Sequence, residues 1–391
     1  MISWVAVEGM LEREAAENAE YHARIAGRPR RSLARLIDDG ELLAALRTYR
    51  IAPDRAKLRA LCETALSAQE ITEPFIDRIR FAPDEDPFHG DRIWIYIETL
   101  WRRWYPEIPS FEMLDDKMEA GYALLKNKET AAAARVWLEA WDDVVFLLKK
   151  ADIRTISAFD ERFQGSYSLC GWIQDLEMEL GNAGRRDRKF LAARAAMCEQ
   201  ALHLLEEEDS DNTENLRIAM AESYFETGDF ARAETLYRAW LDNDPHWGWG
   251  WIGWADLYFF TFTTARDLRR AEALLEQGLA VPGVRDADEI TERLACIRRE
   301  QQSAQREHEL VRPPKTPVSI VDPLSAAVRG EDKPVGAGAW SPGHGIRLVD
   351  QVDEAELRTP APQSGARVKA SIGRNDPCSC GSGRKYKKGC G

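Results

Sequence analysis

Cys378, Cys380 and Cys390 crowd into the last fourteen residues of a chain of 391, and thiols at that spacing point to metal chemistry. Two thiols separated by one residue converge on a single ion when the backbone between them turns tightly, and Gly381 and Gly383 supply the positive-φ conformations such a turn needs. Cys390, with nine residues between it and Cys380, can then fold back onto the same ion. Each thiol must ionise to bind, so three thiolates around a divalent cation leave a charge of about -1. Arg384, Lys385, Lys387 and Lys388 offset it, and Tyr386 covers one side of a knot too small to have a core. The other four cysteines, Cys62, Cys170, Cys198 and Cys296, fall singly within helical apolar patterns, where a thiol behaves as a small hydrophobe. In a reducing compartment the crowding at the end of the chain favours metal over disulfide.

The residues Gly373-Arg-Asn-Asp-Pro-Cys, Cys380-Gly-Ser-Gly, Lys385-Tyr-Lys-Lys and Cys390-Gly together resemble the SEC-C motif. That motif is found at the C terminus of the SecA preprotein-translocase ATPase and on other bacterial proteins. The resemblance covers about nineteen residues and is silent on the rest of the chain. The family pattern places a Cys-x-Cys pair before an adjacent Cys-Cys or Cys-His, and here Gly389 stands where the third ligand belongs. The resemblance implies a zinc ion, with iron as the other metal that thiolates accept. It leaves the fourth position to water, to a partner's donor or to the carboxylate of Gly391, so weaker metal affinity than in the complete motif is expected. It also implies a zinc-dependent docking element for a chaperone, translocation or ribosome-associated partner, with Arg384, Lys385, Tyr386, Lys387 and Lys388 as candidate partner-binding residues. Seven Lys or Arg against one Asp between Arg367 and Gly391 suit an acidic protein surface or ribosomal phosphate. The plainer alternative is that these charges only neutralise thiolates and aid solubility. A tail this short has no pocket to exclude water, so catalysis there is not expected.

The body that carries this tail is expected to be all-α, because from about residue 10 to about residue 309 the apolar residues recur at helical spacing. Even Asp91 to Trp101, which imitates a strand over Ile93 to Ile97, carries a helical stripe of Trp94, Ile97, Leu100 and Trp101. Within the body, Met220, Ala221, Tyr224, Gly228, Ala233, Tyr237 and Pro245 fall on a tetratricopeptide pattern. The next unit offers Trp251, Trp254, Ala255, Tyr258, Ala271 and Leu275; Ala255 and Tyr258 lie 34 residues beyond Ala221 and Tyr224, the family period. Ala271 lies 38 residues beyond Ala233, so four extra residues lengthen a turn. Gly121, Leu124, Ala133, Trp137 and Ala140 form a weaker candidate whose first helix lacks the aromatic, and Leu176, Leu180, Cys198 and Ala201 suggest an irregular one. The resemblance to tetratricopeptide repeats implies stacked helical hairpins forming a solenoid that binds a protein partner. Trp247 and Trp249 lie in the connection before the second unit, where a ligand contact competes with plain packing. Arg28-Pro-Arg-Arg reads as a solvated helix start.

The expected organisation is an N-terminal helical segment at 1–109, tetratricopeptide-like repeats at 110–310, a flexible Pro/Gly-rich linker at 311–371 and the metal knuckle at 372–391. A net charge of -13 opposes nonspecific wrapping of nucleic acid or anionic lipid. No apolar run approaches a membrane span, and no secretory signal opens the chain, so a cytoplasmic location is expected. No phosphate-cradling glycine loop, nucleophile elbow or histidine pair one turn apart is present, so neither an enzyme nor a small-molecule substrate is expected. The reading that follows is a non-catalytic adaptor. An enzyme or enzyme regulator with an unrecognised site in the N-terminal helical region is the alternative.

Overall fold

The computed structural model describes residues 27–76, 88–205, 211–260 and 265–311. The tail, the linker and the first 26 residues lie outside them, as does the acidic stretch 206–210. Among the described residues every regular element is a helix, as the periodicity requires. The chain divides into two units, and the description that follows, up to residue 301, concerns one of them.

Among the described residues five helices build the N-terminal core: α1 (Arg31–Ala34), α2 (Asp39–Thr48), α3 (Arg55–Thr64), α4 (Ala68–Ile76) and α5 (His89–Trp104). Asp38 and Asp54 accept the backbone N–H groups of Glu41 and Lys57, capping α2 and α3. Helix α5 packs against all four others. It is therefore buried on several faces, and Ile93, Ile95, Ile97, Leu100 and Trp101 are all inside. The alternating isoleucines serve two neighbours: Ile93 and Ile97 join Leu100 and Trp101 in the N-terminal core, and Ile95 packs with Ala34 of α1.

The repeat region follows. Helices α6 (Phe111–Lys126) and α7 (Thr130–Ala151) form the first hairpin, and a short α8 (Ile156–Phe163) follows it. Then come α9 (Leu169–Gly184) with α10 (Lys189–Leu204), α11 (Asp211–Thr227) with α12 (Phe230–Asn243), and α13 (Gly248–Phe259) with α14 (Leu268–Leu279), before α15 (Ala287–Val311). Each hairpin packs within itself, and the first helices α7-facing α9, α11 and α13 also touch in series. Two helices face two ways. Helix α6 gives Met113 to the N-terminal core and Phe111, Leu114 and Met118 to the repeat core. Helix α11 gives Leu216, Ala219 and Met220 to one repeat core and Ile218, Ala221 and Phe225 to the next.

Small residues set the approach of the paired helices. Ala133, Ala221, Ala233, Ala255 and Ala271 are all fully buried, on the positions the pattern assigned. Gly121 is the extreme case: a Cβ there would lie 1.9 Å from Trp137 Nε1, so the indole occupies the space a side chain would take. That indole donates to the Met118 carbonyl at 3.0 Å. Gly228 turns the α11–α12 hairpin at φ +98°, and Lys128 takes the same left-handed conformation at the matching turn. The first hairpin does have an aromatic, two positions before the one the pattern assigns: Tyr122 meets Trp137 edge-on at 4.8 Å.

Gly121→Ala forces the Trp137 ring out of its slot, an overpacking cost of about 1–3 kcal/mol. Urea unfolding should show this loss, and an unchanged midpoint would mean that the hairpin does not depend on the close approach.

Candidate functional site

Arg31 begins α1, Glu98 and Arg102 lie one turn apart on α5, and Asp116 is on α6; the helices bring all four together. Arg31 donates to Asp116 through both terminal nitrogens at 2.8 Å and to Glu98 at 3.1 Å. Arg102 bonds Glu98 at 2.6 Å and Asp116 at 2.7 Å, and Arg35 adds a bond to Asp116 at 2.7 Å. Burial by itself would lower the Arg31 pKa, but Glu98 and Asp116 outweigh it and raise it. Burial likewise opposes ionisation of Asp116, and Arg31, Arg102 and Arg35 prevail to hold its carboxyl below the usual range. The Arg28-Pro-Arg-Arg stretch is thus no solvated helix start. Arg31 is buried in an ion-pair network and Arg28 pairs with Asp91 at 2.8 Å, because partners supplied by α5 and α6 are remote in sequence.

Next to this network Glu112 is enclosed. One carboxyl oxygen accepts Trp94 Nε1 at 2.9 Å and the Gln69 amide at 3.2 Å, and Oε2 is buried without a hydrogen-bond partner. Burial raises its pKa, opposed by the Trp94 bond.

Two further polar arrangements join the repeats. Arg194 on α10 bonds Glu177 of α9 at 2.6 Å and Glu222 of α11 at 3.2 Å, tying three helices. Glu234 of α12 accepts Trp254 Nε1 at 3.0 Å and the Tyr258 hydroxyl at 2.5 Å, both from α13. Burial and that carboxylate push the Tyr258 phenol up to about 12. On the first helices, Tyr122 donates to Asp175 at 2.6 Å, Tyr167 donates to Glu119 at 2.5 Å, and the two rings lie 4.0 Å apart. These bonds knit α6 to α9 and the turn before it.

The tryptophan-rich connection is packing. Trp247 is 2% exposed and meets Trp240 edge-on, and Trp251 and Trp254 are buried in the same core. Trp249 is partly buried against it. Cys62 and Cys198 are free, buried thiols; burial pushes Cys62 up to about 12 and raises Cys198 as well, so both stay protonated at neutral pH. Among the described residues no group of three or more His, Cys, Asp or Glu is placed to hold a metal, and no helix is long and apolar enough to cross a membrane. The sequence-derived metal ligands Cys378, Cys380 and Cys390, and the candidate partner-binding residues Arg384, Lys385, Tyr386, Lys387 and Lys388, lie outside the described residues.

Comparison with known proteins bears on both parts. Residues 214–257, which cover most of α11, all of α12 and most of α13, match the tetratricopeptide repeat model. Residues 374–391 match the SEC-C motif model. The chain carries a tetratricopeptide repeat and a C-terminal SEC-C motif. It is 53% identical over 45 residues to the protein translocase subunit SecA of a Geobacter species, a stretch covering 12% of this chain and 5% of that subunit. It is 35% identical over 77 residues to SecA of Ruthia magnifica, covering 18% of this chain and 9% of the subunit. A UPF0225 protein of Geobacter sulfurreducens is 75% identical over 24 residues, which are 6% of this chain and 15% of that protein. The chain thus spans only a small fraction of the length of these relatives, and no solved structure matches it.

The enclosed Glu112 yields a sign for pH dependence. Its folded pKa is raised, so the folded state holds a proton the unfolded state releases. That contribution is complete below the ordinary glutamate range and is lost as pH rises through the folded value, at up to about 1.4 kcal/mol per pH unit. Glu112→Gln keeps the neutral form throughout, so urea unfolding across pH should show the native protein losing stability relative to the variant over that window. Parallel profiles would show that Glu112 folds ionised.

Proposed function

We propose that this protein is a non-catalytic, cytoplasmic adaptor in which the helical repeats hold a protein partner and the tail, shaped by zinc, docks elsewhere. The observation that carries the reading is the coexistence of a tetratricopeptide repeat with a SEC-C motif in one chain. Stacked hairpins present side chains from successive helices along one surface, a geometry suited to an extended peptide or a helix. The buried acids and bases favour the same reading, since Glu98, Asp116, Glu177 and Glu234 bond to helices of their own fold.

The donor set of the tail fits a thiophilic divalent cation. Cys378, Cys380 and Cys390 would hold it, and the ion would supply a cross-link that gives shape to a peptide too short to bury a core. Gly389 leaves that set one donor short of the usual closed site. Arg384, Lys385, Lys387 and Lys388, freed from compensating more than about one negative charge, would then present a basic surface to an acidic protein or to ribosomal phosphate.

Affinity capture with the full chain and with a Cys378→Ser, Cys380→Ser variant tests the adaptor. Loss of one set of partners and retention of another is expected; an identical partner set in both would overturn the docking role of the tail. Metal analysis of the purified protein should find about one zinc per chain, abolished in the same variant. Gly389→Cys completes the ligand set, so zinc should survive chelator competition at least about tenfold longer than in the native protein. Equal retention would mean that a fourth donor is already in place.

A further inference from the structure

We infer that Cys296 of α15 is the fourth sulfur donor to the metal held by Cys378, Cys380 and Cys390, supplying the ligand that Gly389 does not. The inference rests on the metal-binding reading of the tail and adds the donor which that reading lacks. It starts from how the cysteines are bonded: Cys62, Cys170 and Cys198 are free, whereas Cys296 is engaged in a disulfide. The chain has seven cysteines, so the sulfur that Cys296 takes belongs to Cys378, Cys380 or Cys390. A position whose sulfur can bond another sulfur can also share an ion with it, because both arrangements need two cysteine side chains brought within a few ångströms. Under reducing conditions the bond opens, and a thiophilic cation that already has three thiolates completes its tetrahedron with the fourth.

Cys296 suits this part where the other cysteines of the body do not. Cys62 and Cys198 are 0% exposed, enclosed in their cores. Cys170 is half-buried and has the neutral Asn212 amide on its sulfur. Cys296 stands at the rim of the last repeat core: it is 6% exposed beside a fully buried Ile297, and the exposed Arg299 donates Nη2 to its Sγ at 3.1 Å. A guanidinium there favours the thiolate, the form that binds a metal. Glu292 and Glu300 flank Cys296 one turn away on α15, and Glu300 is paired with Arg266.

The chain is long enough to return to this point. Helix α15 ends at Val311, fifteen residues past Cys296 or about 22 Å along its axis. The 66 residues between Val311 and Cys378 reach about 45 Å as a coil. Closing so large a loop costs entropy that a donor inside the tail avoids, so Cys296 binds more weakly than a cysteine at 389 and can be displaced by one. While Cys296 is a ligand, the tail is held against α15.

The test uses the full-length protein, kept reduced with a phosphine and loaded with zinc. Retention against a chromogenic chelator should be shortest in Cys296→Ser, about tenfold below the native protein, and longest in Gly389→Cys. Cys170→Ser should match the native protein. In the Gly389→Cys background, Cys296→Ser should change nothing, because the local cysteine has taken its place; this arm separates loss of a ligand from loss of fold. With cobalt in place of zinc, the thiolate charge-transfer band of Cys296→Ser should fall by about a quarter, one thiolate in four. The inference is overturned if Cys296→Ser holds zinc and colours with cobalt as the native protein does, or if its zinc loss persists in the Gly389→Cys background. Zinc bound through Cys378 and Cys380 without Cys296 defeats this inference alone, whereas a native protein that binds no zinc defeats the metal reading of the tail as well.

Discussion

Close approach between paired helices is the constraint on which the rest of this structure depends. Two helices can pack tightly only where one of them offers no side-chain bulk, and the repeats meet that condition with alanine or glycine at each crossing. At Gly121 the missing Cβ is filled by the Trp137 indole, whose N–H then finds the Met118 carbonyl and is not left buried and unpaired. At Ala221 and Ala233, and again at Ala255 and Ala271, a methyl group is as much as fits. Once the hairpins close, the outer sides of α6 and α11 become the walls against which the next elements pack, so each core is built on the one before.

Polar bonds then fix the order of the helices that apolar packing brought together. Apolar burial by itself is non-directional, whereas an Arg194 that must reach both Glu177 and Glu222 holds α9, α10 and α11 in one arrangement. Glu234 does the same for α12 and α13 by accepting an indole and a phenol. In the N-terminal core, Arg31 and Arg102 link α1, α5 and α6 through Glu98 and Asp116. Such buried pairs contribute modestly to net stability against well-packed apolar alternatives, but removing one partner strands a charge. Their effect here is to limit the ways the helices can fit.

Two kinds of recognition meet in one chain under this reading. The body has apolar cores of its own; the SEC-C segment is basic and poor in apolar residues, and the proposal gives an ion the part that a core plays elsewhere. Local charge, rather than the total, then governs which partners approach each part.

Helicity, the repeat positions from Ala221 to Leu275, and the SEC-C motif were legible in the sequence by itself. Each depends on residues close along the chain: the 3.6-residue period, a 34-residue spacing, and a short pattern of cysteine and glycine. Tyr122 was missed because the pattern places its aromatic two residues later, and Trp247 was open to a ligand role because a connection gives no sign of what will cover it. Only the tertiary structure decided the fate of Arg31, whose partners Glu98 and Asp116 lie 67 and 85 residues away. Likewise, nothing local marks Glu112 as enclosed or Leu36 as left outside. Burial is a property of what packs around a residue, and it is settled by contacts between elements that the order of amino acids alone does not reveal.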